Sequence, residues 1–118
     1  MSNKLNYHKF ENFKLSTGKN VSLSLSYQTF GLELGKGPLV VVNHSLTGDS
    51  NISGDNGWWS ELIGSKKMID TDKFCVMCIN IPGNIQEKRG FNYGNKWILH
   101  DVAKLFIQLL KNLGVRKV

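Results

Sequence analysis

The chain lacks most of the features that mark special classes of protein. Among its 118 residues no apolar run approaches the roughly twenty residues that cross a bilayer. The N-terminal sequence MSNKLNYHKF has no apolar signal core, and there are no internal repeats or low-complexity tracts. We therefore expect one domain, located in the cytoplasm and without contact with a membrane.

Cysteine is also scarce. The only two, Cys75 and Cys78, have the CxxC spacing of metal and redox sites, but a second pair of ligands is missing. Both lie in the apolar run FCVMCINI, where a strand points residues three apart to opposite faces, so a shared metal is geometrically poor. We predict two small buried side chains in a reduced compartment, with no metal and no bound cofactor.

Positive charge is abundant but not concentrated. Fifteen basic residues against nine acidic ones give a formal net charge of +6, yet the adjacent basic pairs are scattered along the chain. No nucleic-acid-binding motif accompanies the charge. We therefore expect no nucleic-acid partner.

The first half of the chain has the patterns of a hairpin and a buried strand. FENFKL and VSLSLSYQTF alternate apolar and polar residues on either side of the turn at residues 16–20, which is typical of an antiparallel hairpin. Residues 38–42 and 74–81 are apolar on both faces, as in parallel strands covered by helices on both sides. The predicted sheet is therefore mixed, with antiparallel strands leading into parallel ones.

Helical patterns separate and follow these strands. GWWSELIG predicts a short helix, and apolar residues at three- and four-residue spacing from Ile98 to Leu113 predict an amphipathic one, with Gly114 as its left-handed cap. Residues 115–118 resemble the approach to a further strand. We predict an α/β fold in which the whole chain forms the first half of a larger domain.

A polar turn, NHSLTGDS, follows the buried strand at residues 38–42. Ligands of open α/β sheets bind beyond the carboxyl ends of strands, and a turn there presents backbone N–H groups that no neighbouring strand claims. Such donors stabilise the oxyanion of acyl transfer, and Gly48 permits a tight backbone path. The turn is therefore our candidate functional site.

Three residues of this turn, His44, Ser45 and Asp49, have the side chains of a catalytic triad. Triad members normally converge from separate elements, so neighbours on one turn seldom meet correctly. We expect instead that His44 and Asp49 hydrogen-bond the backbone and hold the shape of the turn.

Trp58 and Trp59 open the predicted short helix. Adjacent helical residues point in different directions, so one indole can enter the core while the other lines a crevice. Packing alone explains both residues, but two aromatic side chains beside a strand-end loop also fit the wall of a ligand pocket.

Four strings of the sequence together resemble the N-terminal part of the homoserine O-acetyltransferase family, which has the α/β-hydrolase fold. In chain order they are VVVNHSLTGDS, GWWSELIG, MIDTDKFCVMCINIPGN and DVAKLFIQLLKNLGVRKV. The resemblance implies transfer of an acetyl group from acetyl-CoA to the homoserine hydroxyl through an acylated serine, in methionine biosynthesis. It implies that the backbone N–H of Leu46 is an oxyanion-hole donor. The substrate pocket or loop frame would consist of His44, Thr47, Gly48, Trp58 and Trp59.

The nucleophile that the resemblance implies is missing, since no G-x-S-x-G string occurs. In α/β-hydrolases the acid and the histidine follow the nucleophile, so all three would lie beyond Val118. We therefore expect residues 1–118 to be a partial α/β-hydrolase domain, truncated before the nucleophile elbow and inactive alone. Acetyl-CoA would be a co-substrate of the parent enzyme. The expected partners are its small-molecule substrates, and either a second copy of the chain or a missing C-terminal part.

One departure from the family leaves other functions open. After Asn80-x-x-Gly83 the acetyltransferases usually carry a Ser-Thr-Gly-Pro string, whereas this chain continues NIQEKRGFNYGN. The alternatives are a serine hydrolase or esterase of the same fold, and a non-catalytic module that binds through its exposed sheet edge and its tryptophans.

Overall fold

The protein contains one mixed four-stranded sheet, a small second sheet and one helix, in a computed structural model that describes residues 5–45, 47–84 and 94–118. The elements are β1 Asn6–Lys14, β2 Asn20–Gly31, β3 Leu39–Val42, β4 Ile63–Gly64, β5 Ile69–Asp70, β6 Cys75–Ile79 and α1 Leu99–Asn112. The strand order is β1-β2-β6-β3, with β6 parallel to β3 and antiparallel to β2. The predicted hairpin and parallel strands are therefore confirmed.

The alternation of β2 predicts its burial only in part. Val21 and Leu25 face the core as expected, but Ser26 and Gln28, on the predicted polar face, are also buried. The reason is strand order: the second half of β2 pairs with β6 inside the sheet and is covered on both faces. Its polar side chains therefore need hydrogen-bond partners within the protein.

The two faces of the sheet have separate cores. On one face α1 contributes Leu105 and Leu109 to a cluster that also contains Cys75 and Met77. On the other, the connection from β3 to β6 covers a second cluster. The members of this second cluster that are buried are Phe30, Val42, Ile52, Ile63, Val76 and Cys78.

The two cysteines occupy different cores, as the strand geometry predicts. Both are free and buried, Cys75 on the side of α1 and Cys78 on the opposite side. Burial raises the pKa of both thiols, that of Cys78 to about 12. Thiolate chemistry at neutral pH is therefore suppressed at both positions.

The prediction of a short helix at GWWSELIG is wrong. Its residues form hydrogen-bonded turns, in which Ser60 N–H donates to Gly57 and the N–H groups of Leu62 and Ile63 donate to Trp59, before the chain enters β4. A helix of one or two turns has a costly nucleus, and pairing of β4 with β5 competes with it. Within the described ranges α1 is thus the single helix, and it ends as predicted at a left-handed Gly114.

Residues 115–118, which resemble the approach to a further strand, are not part of a strand in the structure. Residues 115–118 follow α1 without regular structure and line an open cavity of about 610 Å³ together with Pro38 and Leu39. They therefore lie near the amino end of β3, with which they share this cavity.

Asp101 connects α1 to the turn between β1 and β2. One carboxylate oxygen accepts the backbone N–H and the hydroxyl of Ser16, at 2.8 and 2.6 Å, and the other accepts the N–H of Ile98 at 3.2 Å. The hydroxyl of Ser16 is the main reason that the pKa of Asp101 lies below its usual value of 3.8. The ionised form is therefore the one that the fold stabilises.

Asp101→Asn should destabilise the protein at neutral pH and make its stability less dependent on pH in the acidic range. A carboxylate with a lowered pKa contributes stability above its unfolded-state pKa and loses it as the pH falls through the folded-state value. The melting temperatures of the two proteins should therefore converge below the usual pKa of 3.8. A difference that stays constant down to about pH 2 would contradict this account. Glu11→Gln, at an exposed carboxylate, is the control and should change little.

Candidate functional site

The predicted turn and a second loop meet at one edge of the sheet. Residues 43–50 follow β3, and residues 80–84 follow the parallel neighbour β6. The connection after β3 covers one face of the sheet, whereas α1, which follows β6, covers the other. Connections that leave over opposite faces open a crevice at the carboxyl ends of the strands, and this is where α/β proteins bind ligands.

His44 holds the two loops together. Its ring is buried, and Nε2 accepts a hydrogen bond from the backbone N–H of Ile81 at 3.0 Å. Its Nδ1 lies 2.7 Å from the carbonyl oxygen of Ser45. Because Nε2 accepts, we assign the proton to Nδ1, which then donates to Ser45. Both ring nitrogens are therefore committed to backbone groups, one in each loop.

His44, Ser45 and Asp49 do not form a catalytic triad. Asp49 accepts the N–H of Asn51 with its carboxylate, at 2.9 Å, and so holds the loop as predicted. Both ring nitrogens of His44 face backbone groups, which leaves neither for the hydroxyl of Ser45. A general base activating a neighbouring serine is therefore excluded within this turn.

Gly48 closes the turn tightly. Its N–H donates to the carbonyl of Ser45 at 2.9 Å, and a β-carbon at this position would come within 2.8 Å of the Ser45 hydroxyl oxygen. Thr47, beside it, is exposed at the surface of the turn. Leu46, the predicted oxyanion-hole donor, lies outside the described residues, so its role stays a prediction.

A network of buried polar side chains lies beneath the turn. Asn80 accepts the backbone N–H of Ser50 at 2.8 Å and donates to the hydroxyls of Ser26 and Ser50 at 2.8 and 2.9 Å. The Ser50 hydroxyl in turn donates to Gln28 at 2.6 Å. Our reading of the sequence missed this network. Its one signal was an asparagine at the end of an otherwise apolar strand.

The two tryptophans differ in exposure, Trp58 being partly buried and Trp59 exposed. Trp58 packs against the second core cluster and donates its indole N–H to the carbonyl of Asp49 at 2.9 Å. Trp59 leaves 38% of its surface exposed and meets Trp58 edge to face, with ring centroids 4.7 Å apart. Trp58 thus holds the carboxyl-terminal part of the turn through Asp49, and Trp59 is the more exposed residue of the pair.

Trp58→Phe should lower the free energy of unfolding by about 1–2 kcal/mol, because it leaves the Asp49 carbonyl without its indole donor. The matched variant Trp59→Phe changes the exposed partner of the same ring pair and should cost less. Urea unfolding followed by circular dichroism measures both. Equal losses would show that the hydrogen bond contributes nothing and that ring size alone matters.

The described residues form neither a metal-binding cluster nor a membrane-spanning helix. No group of three or more histidine, cysteine, aspartate or glutamate side chains in these ranges could hold a metal ion. The single helix of these ranges, α1, lacks the length and apolar character needed to cross a membrane.

The chain is similar in sequence to curated homoserine O-acetyltransferases. It is 33% identical to the one from Methanosalsum zhilinae, in an alignment that covers 95% of this chain and 27% of that protein. It is 41% identical to the one from Pelagibacter ubique, in an alignment that covers 65% of this chain and 23% of that protein. The chain thus spans about a quarter of the length of these relatives. No family model matches it.

Solved structures share its architecture. Homoserine O-acetyltransferase from Staphylococcus aureus superposes with a TM-score of 0.79 at 23% identity, over 98% of this chain and 37% of that one. Esterase E22 superposes with a TM-score of 0.82 at 20% identity, over 98% of this chain and 39% of that one. A transferase and an esterase match about equally well, so these likenesses establish the α/β-hydrolase fold and no activity.

Proposed function

Since the chain belongs to the homoserine O-acetyltransferase family, we propose that it forms the oxyanion-hole side of an acyl-transfer site. The observation that carries this proposal is the turn after β3, fixed at one end through His44 to Ile81 and at the other through Ser50 to Asn80. Backbone donors stabilise a developing oxyanion best when they are held in place before the reaction begins. A turn tied at both ends meets that requirement.

The reaction proposed is that of the parent enzyme, of which this chain supplies a part. A serine oxygen attacks the carbonyl carbon of acetyl-CoA, coenzyme A leaves as a protonated thiol, and the acetyl group passes to the hydroxyl of homoserine. The nucleophile, acid and base would come from outside residues 1–118. The product would enter methionine biosynthesis, and the two free, buried cysteines support a cytoplasmic setting.

The residues of this chain would act on the acetyl carbonyl and around it. The backbone N–H of Leu46 would donate to the oxyanion, with a second donor from the residue after the nucleophile. His44 and Gly48 would keep the path of the turn, and Thr47 is exposed where a substrate could meet it. Trp58 would support this wall of the pocket and Trp59 would face the substrate.

The test is a chimera, in which residues 1–118 replace the matching segment of the Methanosalsum zhilinae relative. We expect it to form O-acetylhomoserine from acetyl-CoA and homoserine, detected by mass spectrometry. The remainder of the relative without this chain is the control and should be inactive, because it lacks both this part of the sheet and the turn that would complete the oxyanion hole. A folded chimera that forms no O-acetylhomoserine would contradict the proposal.

An esterase of the same fold is the second candidate, and the sequence after Asn80-x-x-Gly83 favours it. There the chain continues NIQEKRGFNYGN in place of the Ser-Thr-Gly-Pro string of the resembling transferases. The two functions differ in the acceptor, which is water for the esterase and an amino-acid hydroxyl for the transferase. Cleavage of p-nitrophenyl acetate by the chimera without formation of O-acetylhomoserine would favour the esterase.

A further inference from the structure

Asn80 uses all the hydrogen-bonding capacity of its side chain. An asparagine amide can accept two hydrogen bonds and donate two. Its oxygen accepts the backbone N–H of Ser50 at 2.8 Å and the amide of Asn84 at 2.9 Å, and its nitrogen donates to Ser26 and Ser50. The residue is fully buried, so no water competes for these bonds.

The orientation of this amide follows from its partners. A backbone N–H can only donate, so the atom that faces Ser50 N–H must be the oxygen of Asn80. The nitrogen then faces the two hydroxyls, which can accept from it. One orientation therefore satisfies every partner, and the reverse would set two donors against each other.

Asn84 connects the side chain of Asn80 to Gly48, in the middle of the turn. Its amide nitrogen donates to Asn80 at 2.9 Å and lies 3.3 Å from Nε2 of His44 and 3.4 Å from the carbonyl oxygen of Gly48. Nε2 has one lone pair, which the N–H of Ile81 already uses at 3.0 Å, so the second amide hydrogen is best directed at Gly48.

We infer that Asn80 is the positioning residue of the candidate site: its amide holds the turn directly at Ser50 and indirectly, through Asn84, at Gly48. The catalytic meaning of this inference rests on the proposed function, but the positioning itself does not. Asn80 follows β6, a central strand covered on both faces, so it is fixed by the core and can transmit that rigidity to a loop. Its own atoms lie beneath the turn, so it acts through the backbone and need not touch a substrate.

If packing were the only requirement at position 80, an apolar residue would be sufficient. Residues 75–79 are all buried and apolar, and a hydrophobic side chain at position 80 would continue that packing. A buried amide contributes net stability only when every bond is made, because each unsatisfied group carries a desolvation cost. Four bonds to three segments of the chain therefore point to a requirement on the position of the turn.

The test is hydrogen exchange by NMR on the full 118-residue chain. In the unmodified protein we expect a protected Ser50 amide and the Nδ1–H tautomer of His44 in its ring ¹⁵N spectrum. Asn80→Ala should lower the protection of the Ser50 amide by about tenfold or more, the effect of losing a buried acceptor. Amides paired between β1 and β2 should keep their protection, which a loss of global stability would not allow.

Two matched variants separate positioning from general destabilisation. Asn80→Asp keeps an acceptor for Ser50 N–H but loses the two bonds that the amide nitrogen donates, so the Ser50 amide should stay better protected than in Asn80→Ala. Ser53→Ala removes another buried hydrogen bond, to the carbonyl of Ile63, and should leave the Ser50 amide and the His44 signals unchanged. Rapid exchange at Ser50 in the unmodified chain would overturn the inference. So would an Asn80→Ala variant in which all amides lose protection equally. Neither outcome depends on a substrate, so this experiment tests the positioning role of Asn80 separately from the proposed function.

Discussion

Leu46→Pro should lower the kcat of the chimera for acetyl transfer by about 10²–10³-fold, whereas Leu46→Ala should stay within a few-fold of the unmodified chimera. Proline removes the backbone N–H that the family resemblance assigns to the oxyanion hole, and alanine keeps it while removing the side chain. The contrast between the two variants therefore tests the N–H itself. Steady-state formation of O-acetylhomoserine at saturating substrates measures it.

The proline variant needs a check that the turn survives. The N–H of Ile81 should still donate to His44, which the tautomer of the His44 ring reports, and the melting temperature should stay close to that of the alanine variant. With these conditions met, equal activity of Leu46→Pro and Leu46→Ala would remove Leu46 from the oxyanion hole. A loss of activity in both variants would assign the effect to the leucine side chain.

Gly31→Ala should lower the free energy of unfolding by about 2–5 kcal/mol, because it adds both conformational strain and a steric clash. Gly31 has a φ of 86°, in the left-handed region, which costs an alanine about 1–2 kcal/mol. Its added β-carbon would also lie 2.5 Å from the carbonyl oxygens of both Thr71 and Phe74. These are backbone atoms of the segment that leads into β6, and displacing them costs a further 1–3 kcal/mol or so.

Gly18→Ala provides the matched control for this prediction. Gly18 has a φ of 89°, yet a β-carbon there would meet nothing within 4 Å. It should therefore carry only the conformational cost of about 1–2 kcal/mol. Urea unfolding at equilibrium gives both free energies. If the two variants lose the same stability, the close approach of the 71–74 segment to β2 is not a constraint on the fold.

The regular elements could be predicted because each has a sustained pattern of its own. Alternation through β2, continuous apolar runs in β3 and β6, and the three- and four-residue spacing of α1 are local signals. The burial of Ser26 and Gln28 could not be predicted, because it depends on pairing with β6, which lies fifty or more residues further along the chain. The expected helix at GWWSELIG failed for a similar reason, since β4 and β5 pair across the following loop.

The candidate site was predicted to the extent that it depends on one strand end. The position of the turn after β3 and the roles of His44 and Asp49 follow from local sequence. The partners that fix the turn, Asn80 and Ile81, come from the second strand end, and only the parallel pairing of β3 with β6 brings them there. Sequence analysis therefore identified the turn but not the residues that hold it.

The most direct measurement is the burst of coenzyme A that the chimera releases when it is mixed with acetyl-CoA in the absence of homoserine. This burst reports acylation of the nucleophile, the step at which the oxyanion hole acts. The account predicts a burst close to one equivalent per active site, which Leu46→Pro slows by about 10²–10³-fold. A folded chimera without a burst, or a burst equally fast in the proline variant, would contradict the claim that this chain supplies the oxyanion-hole side of the site.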